Sequence, residues 1–310
     1  MMTSTRPQRD MDYNLPARER PIMLVRVDLP KTLALTPRLV VLEEAGSTND
    51  VLAAAVAAGD APHLSSVLTL SQTGGRGRLG RTWVAPPGRT IAFSVLLRPA
   101  LPAGGHLGIE HFGWLPLMAG VAMSRVVDSL VGGGRTRLKW PNDVQVDGRK
   151  VCGVLAELVA GADAVIVGTG VNLFLDESEL PVPTATSLAL AGARVAGVGA
   201  VGPVGDGAAS IEHRDAVVDA LLAGYLGALA ELLERFAAAG GDAAASGIQR
   251  VVSEWCGTLG QEVRVELPGG DDLIGTAVGI DDTGRLVVRH GRDARLQAVA
   301  AGDVTHLRYE

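Results

Sequence analysis

Apolar residues along this chain recur with two different periods, and the switches between them mark out the elements. A short apolar run in "PRLVVLEEAGSTND" predicts a strand ending in a turn, after which Ser47 or Thr48 is placed to cap a helix through "NDVLAAAVAAG" to Gly59. "SSVLTLSQT" and "TIAFSVLLRP" predict two more strands on either side of a glycine-rich loop. A helix is expected around "FGWLPLMAGVAMSRVVDSLV". "RLKWPNDVQVDGRKVCGVLAELV" reads as two antiparallel strands joined at Asp147-Gly148, a dipeptide that tolerates positive φ in a tight hairpin. "DAVIVGTGVNLFL" reads as one more strand. In "AVVDALLAGYLGALAELLERF" the period is helical, and Val218, Leu221, Leu222, Tyr225, Leu229, Leu232, Leu233 and Phe236 share one broad face.

Three stretches break these patterns. Residues 1–37 carry Pro7, Pro16, Pro21 and Pro30 among mixed charges and predict a flexible arm. From 191 to 210 the composition collapses to Ala, Gly and Val, which reads as a surface loop or hinge. After "AAAGGDAAASG", short alternating strands at 262–267, 273–280 and 286–290, separated by glycine turns, predict a small all-β barrel. The expected fold class is α+β, with an arm over 1–37, a mixed-sheet domain over 38–245 and a barrel over 248–310.

Composition narrows the partners. The chain has 310 residues, 47% of them hydrophobic, and a formal net charge of −6, which gives no basic excess for binding nucleic acid or an anionic membrane at large. Locally the balance reverses. Residues 61–109 hold no Asp, Glu or Lys but include Arg76, Arg78, Arg81, Arg89 and Arg98, a setting that suits an anionic small molecule. Cys152 and Cys256 lie far apart in no metal-ligand spacing, as in a reduced cytoplasmic protein. Arg26 and Asp28 interrupt "PIMLVRVDLP", and no apolar run reaches the roughly 18 residues of a membrane span. The histidines show no paired spacing and carry no metal or catalytic assignment.

The arginines cluster in "TGGRGRLGRTW", residues 73–83, which matches both G-x-G-x-x-G and, with Arg in place of Lys, a P-loop. Either nucleotide loop needs a helix N-terminus directly after its glycines. Here "TWVAPPG" follows, a turn and then a strand, so neither reading fits. What remains is a loop whose glycines allow close backbone approach and whose Arg76, Arg78 and Arg81 can fork onto phosphate or carboxylate. A solvated basic loop is the bland alternative.

Several motifs in order decide more than one. "GSTND" (46–50), "SQTGGRGRLGRTW" (71–83), "LKWPNDV" (138–144), "GRKVCGVLAE" (148–157) and "GTGVNL" (168–173) together resemble the biotin protein ligases, of the short type without an N-terminal DNA-binding domain. The resemblance runs from about residue 40 to 310. It implies a catalytic domain like that of class II aminoacyl-tRNA synthetases followed by an SH3-like barrel. It also implies an ATP- and Mg²⁺-dependent, AMP-forming ligase that makes biotinyl-5'-adenylate and transfers biotin to one lysine of a biotin carboxyl carrier domain.

Carried over by motif, the resemblance implies that Ser47, Thr48, Asn49, Gln72, Gly75, Arg76, Lys150 and Gly153 line the biotin end. Arg76, Arg78, Arg81, Trp83, Asn142, Asp143 and Asn172 fall at ATP and adenylate positions, Trp83 near the adenine. Lys150 and Arg78 take the catalytic roles, and Mg²⁺ arrives with ATP, near Asp143 and Asn172, its ligands not fixed by sequence. The chemistry asks for such groups independently, because a carboxylate must attack an α-phosphate and two anions must be brought together. Bland readings stand beside these: Trp83 and Trp140 as packing, "KWPND" as a plain turn, Ser47 and Thr48 as a helix cap.

Residues 1–37 leave no room for a winged helix, so operator binding is not expected. Rival readings are a lipoate–protein ligase, a non-catalytic biotin-binding protein and an RNA-binding module built on the barrel. The barrel mixes acids with bases and shows no interleaved aromatics for stacking on bases, which speaks against RNA. Oligomeric state and the identity of the carboxylase that supplies the carrier are open.

Overall fold

Alternation of side chains along a strand assigns each apolar residue to one of two sheet faces, and here the two faces are covered unequally. The computed structural model of the chain describes residues 27–159, 161, 164–202, 208–267, 271–300 and 302–307. One sheet contains β1 (Leu39–Leu42), β2 (Ser66–Thr69), β3 (Thr90–Leu97), β4 (Thr136–Lys139), β5 (Asp143–Val146), β6 (Arg149–Leu158) and β7 (Val165–Asn172). Their order is β1-β2-β3-β7-β6-β5-β4, with β1 and β2 parallel and every other neighbour antiparallel.

Among the described residues five α-helices accompany it: α1 (Pro30–Leu33), α2 (Thr48–Ala57), α3 (Trp114–Val131), α4 (Ala208–Ala238) and α5 (Ile248–Trp255). Ile91, Phe93, Val95 and Leu97 of β3 join the main core with α3 and α4, and Phe93 meets Tyr225 edge-on at 6.2 Å. All eight apolar residues assigned to one face of α4 are buried. By length and composition α3 and α4 could each cross a membrane, yet much of each lies buried against the sheet and its partner helix. On the opposite face α2 covers only part of the sheet, where Leu52 packs with Leu42, Val67, Leu96 and Ile166. The uncovered remainder of that face is where the glycine-rich loop lies.

Several expectations need correction. Ser47 is the N-cap residue of α2 but makes no side-chain capping bond. The segment 136–158 forms three strands rather than two, since Pro141, which has no N–H to give a ladder, lies in a turn between β4 and β5. Residues 191–202 are not a surface loop: Ala191, Ala193, Val195 and Val201 are buried, and β8 (Arg194–Val195) pairs with β9 (Gly199–Ala200). Small side chains allow this stretch to lie close against α3. Residues 203–207, the middle of the same expectation, fall outside the described residues.

The arm over 1–37 also divides. Residues 1–26 lie outside the described residues, while 28–36 are tied down. Leu29 is buried, and the carboxylate of Asp219 on α4 accepts the N–H groups of Lys31 at 3.2 Å and Thr32 at 2.8 Å and the Thr32 hydroxyl at 2.8 Å. A neighbouring helix thus supplies the cap that α1 lacks in its own sequence.

The second sheet has five strands where three were expected: β10 (Glu262–Glu266), β11 (Asp272–Ile280), β12 (Leu286–His290), β13 (Arg295–Val299) and β14 (Asp303–His306). They run antiparallel in the order β13-β12-β11-β10-β14 and enclose Val263, Val265, Ala277, Leu286, Val288 and Val304. The expected start of this domain at residue 248 coincides with the first residue of α5, a helix the sequence reading omitted, which packs on both α3 and β11. Two indole N–H groups hold the β11–β12 turn against the larger domain. Trp114 donates to the Asp282 carbonyl at 2.8 Å and Trp140 to the Gly284 carbonyl at 3.2 Å.

Two stability predictions follow from these contacts. Asp219→Ala should lower stability by about 1–3 kcal/mol, because it leaves buried donors of α1 unpaired; an unchanged urea midpoint would show that α1 needs no anchor. The second concerns His63, whose Nδ1 accepts the Arg98 N–H at 3.0 Å. Burial holds its pKa below the ordinary value, aided by the nearby charges of His106 and Arg98 and opposed by a hydrogen bond to the Leu96 backbone. The unfolded chain therefore binds this proton more readily, so stability present above about pH 6.5 should be lost as pH falls. Tm measured from pH 7.5 to 5 should drop, and His63→Asn, whose amide oxygen can take the Arg98 N–H, should flatten that slope.

Candidate active site

Three glycines on adjacent strands make the floor of a cavity of about 140 Å³. Gly153 of β6 lies opposite Gly170 of β7, which lies opposite Ala92 of β3; in the next row Leu155, Gly168 and Ser94 are neighbours. With no side chains there, other residues rest on bare backbone. A Cβ at Gly168 would lie 2.4 Å from Asn49 Oδ1, and one at Gly170 would lie 2.4 Å from Trp83 Cε2.

The loop over the floor is a tight hairpin. Gly77 N–H donates to the Arg81 carbonyl at 2.7 Å, Trp83 N–H donates to the Gly75 carbonyl at 3.0 Å, and a Cβ on Gly75 would come within 2.5 Å of the Trp83 carbonyl oxygen. Between them a single 3₁₀ turn, Arg78–Gly80, places Leu79 in the left-handed region, φ 55°. No α-helix follows the glycines before β3, as the sequence required for rejecting both nucleotide-loop readings.

Lys150 reaches the same face through a β-bulge. Positions 150 and 153 would alternate to opposite faces of β6, but the register against β5 shifts between Val144 and Gln145, leaving Val151 as the extra residue. Lys150 Nζ then lies 2.7 Å from Asp143 Oδ1 and 5.5 Å from the Trp83 ring centroid. Its backbone is clamped by Thr184, whose carbonyl accepts the Lys150 N–H at 2.7 Å, and by Thr186, whose N–H donates to the Lys150 carbonyl at 2.8 Å.

The other end of the cavity is lined by hydroxyl and amide groups, with Arg76 beside them. Gln72 Oε1 accepts the Thr48 N–H at 3.0 Å, and Ser94 Oγ lies 2.7 Å from Thr48 Oγ1 and 2.6 Å from Asn49 Oδ1. Asn49 Nδ2 donates to Glu157 Oε2 at 2.5 Å. Behind this, Arg76 forks onto Asp50 at 2.7 and 2.6 Å and reaches Glu157 at 3.1 Å. The Asp50 carboxylate, with Glu157 behind it, drives the guanidinium pKa further up.

Most of the residues expected from the sequence converge. Ser47, Thr48, Asn49, Gln72, Arg76, Arg78, Arg81, Trp83, Asn142, Asp143, Lys150 and Gly153 line the cavity, and Gly75 shapes the loop above it. Arg78 Nη1 donates to Asn142 Oδ1 at 3.4 Å. Arg76 lines the cavity as expected, with its guanidinium engaged by Asp50 and Glu157. One placement differs from expectation. Asn172 is buried with its amide donating to the Thr186 carbonyl at 2.9 Å, away from the cavity lining. Trp83 lies flat on Gly170, its buried Nε1 without a partner.

Sequence reading missed Ser94, Glu157, Asp50, Gly168 and Gly170. A lone serine inside the apolar run "TIAFSVLL" was the available signal for the first. Among the described residues no group of three or more His, Cys, Asp or Glu could hold a metal, and both cysteines are buried and unpaired. Burial raises both thiol pKa values, which leaves these sulfurs inert.

Residues 42–173 match the Biotin/lipoate A/B protein ligase family, and residues 258–307 match the Biotin protein ligase C terminal domain. A biotin--[acetyl-CoA-carboxylase] ligase of Mycobacterium tuberculosis is 36% identical over 276 residues, covering 87% of this chain and 90% of that protein. The chain belongs to the biotin protein ligase family. A biotin protein ligase of Aquifex aeolicus, solved with biotin and ATP, superposes with a TM-score of 0.61 at 25% identity over 88% of this chain and 100% of its own. One from Leishmania major, solved with biotinyl-5-AMP, has a TM-score of 0.50 at 25% identity over 86% and 99%. The C-terminal antiparallel sheet of this biotin protein ligase is accordingly the family's SH3-like domain.

The floor makes a direct prediction. Gly170→Ala should displace the Trp83 indole and weaken biotin binding at least tenfold while the far-UV circular dichroism stays unchanged; binding as tight as wild type would show that the indole position is irrelevant to the ligand.

Proposed function

We propose that this chain activates biotin with ATP to biotinyl-5'-adenylate, releasing pyrophosphate, and then transfers biotin to a lysine of a biotin carboxyl carrier domain. One observation carries the reading: the cavity pairs a hydroxyl and amide end, Thr48 and Gln72, with a cationic end, Lys150 and Arg78, across a floor of backbone. Biotin has the matching shape, a cyclic urea at one end and a carboxylate at the other.

In the first step a carboxylate oxygen forms a bond to the α-phosphorus while the bond to the bridging oxygen of pyrophosphate breaks. Both reactants are anions, so a fixed cation between them lowers the barrier that their repulsion raises. Lys150 is held for that by the bulge and the Thr184–Thr186 clamp, and Asp143 keeps it oriented until a ligand carboxylate shares it. Arg78, which lines the same cavity beside Asn142, takes the phosphate in this reading.

Mg²⁺ binds through one or two carboxylates plus phosphate oxygens, and Asp143 on the cavity wall fits that donor set. A Mg²⁺ ion brought with ATP would neutralise charge on the phosphates. Asn172 is on the Gly170 face, two residues along, with one amide N–H given to the Thr186 carbonyl, so its remaining N–H and its Oδ1 would be the groups to meet a nucleotide. A second cavity, lined by Trp140, Pro141 and Gly284, shares Arg78 and Asn142 with the first and opens between the domains; we assign it to the incoming carrier lysine. That lysine, as the free amine, forms a bond to the acyl carbon as AMP departs. The buried unpaired cysteines suit a reducing compartment, the cytoplasm.

The test is the intact mass of a purified carrier domain after incubation with this protein, Mg-ATP, and equal biotin and lipoate. A biotin-sized gain is expected, at least 100-fold slower with Lys150→Ala and restored by neither higher ATP nor higher biotin. A lipoyl gain would reassign the substrate, and a fully active Lys150→Ala enzyme would reduce the lysine to a structural part.

A further inference from the structure

The hydroxyl and amide groups between Glu157 and the cavity leave little freedom in where their protons lie. Glu157 is an acceptor only, and it takes a 2.5 Å hydrogen bond from Asn49, so the Asn49 side chain must present Nδ2 to Glu157 and Oδ1 to Ser94. Ser94 is buried and has one proton. At 2.6 Å from Asn49 Oδ1, itself only an acceptor, that proton must go to Asn49. The 2.7 Å contact between Ser94 Oγ and Thr48 Oγ1 then requires Thr48 to be the donor. The competing contact from Thr48 Oγ1 to Gln72 Oε1 is 3.3 Å, the longer of the two, and Gln72 Oε1 already accepts the Thr48 N–H. Thr48 Oγ1 is left with lone pairs and no proton to offer, at a residue that lines the cavity.

We infer that Glu157 acts through Asn49 and Ser94 to fix Thr48 Oγ1 as a hydrogen-bond acceptor, making the cavity selective for an acyl group whose head carries an N–H donor. A urea N–H satisfies that oxygen. A dithiolane head has no N–H and leaves it unpaired, which costs more than the lost bond alone would suggest. Ser94 and Glu157 are positioning residues in this scheme; neither needs to touch the ligand. Arg76 and Asp50 complete it by holding Glu157 in place from the solvent side.

This inference rests on biotin being the acyl substrate, and the experiment separates the two. Calorimetric titration would compare biotin with biotin methylated on either ureido nitrogen, against wild type, Ser94→Ala, Ser94→Thr and Glu157→Leu. Expected are about a tenfold loss of biotin affinity in Ser94→Ala and Glu157→Leu, recovery in Ser94→Thr, and methylation of one nitrogen costing those two variants about tenfold less than it costs wild type. KM for biotin should rise with little change in kcat or in KM for ATP, a split that general loss of structure would not produce. Glu157 is partly exposed, so its substitution serves even where Ser94→Ala folds poorly. Equal methylation penalties in wild type and variants would overturn the relay while leaving the ligase reading intact. Wild type that binds no biotin would overturn both.

Discussion

The site depends on backbone left bare at Gly153, Gly168 and Gly170, because three functional side chains occupy the space that side chains would otherwise fill. Asn49 lies over Gly168, Trp83 over Gly170, and Lys150 Nζ would be 3.1 Å from a Cβ at Gly153. Antiparallel pairing brings Gly153 and Gly170 side by side, so the bare patch is continuous. Glycine weakens a strand interior, and the opposite face compensates with a dense core that includes Phe93, Val167, Tyr225 and Leu221. The two faces divide the labour of stability and of ligand contact.

Charge is distributed by the same geometry. Of the loop arginines, Arg76 is tied to Asp50 and Glu157, while Arg78 lines the cavity beside Asn142, and Lys150 lines it from β6. A row of arginines in sequence therefore separates, in space, onto different partners. An arginine held by two carboxylates adds little net attraction for a phosphate, since the cluster as a whole is not positive. Among the described residues Lys150 has one carboxylate partner, Asp143, so a second anion can share it without stripping it from its neighbour.

Much of this was legible in the chain. The helical face of α4, the strands around the loop and the barrel all follow from periodicity, and the five motifs placed nearly every cavity residue. What escaped notice had physical causes. The turn at Pro141 was open to the plain-turn reading of "KWPND", but apolar Leu138, Trp140, Val144 and Val146 recur on both sides of it, so three strands read as two. The Ala/Gly/Val stretch looked unstructured because small residues carry no periodic signal even when packed. Asp219 caps a helix far away in sequence, a contact no local pattern reports. Ser94 lies outside every motif, Glu157 closes one but shows its part only through Asn49 and Arg76, and Asn172, which also fell in a motif, is turned to Thr186.

The barrel's contribution follows from where it is fastened. Thr258 Oγ1 accepts the Trp140 N–H at 3.0 Å and lies 3.1 Å from His306 Nε2, while the Trp140 indole donates to Gly284. Trp140 thus joins two separate parts of the barrel to the turn that presents Asn142 and Asp143 to the cavity. Asn142 is further held by donating to the Val154 carbonyl at 2.7 Å on β6, the strand that also carries Lys150 and Gly153. A shift of the barrel would therefore be felt first at Asn142 and Asp143, and through Asp143 at the Lys150 ammonium. Small β-domains of this size bury little apolar surface on their own. Buried N–H groups fasten this one to the turn that carries Asn142 and Asp143, and its own Gly302 reaches the cavity lining.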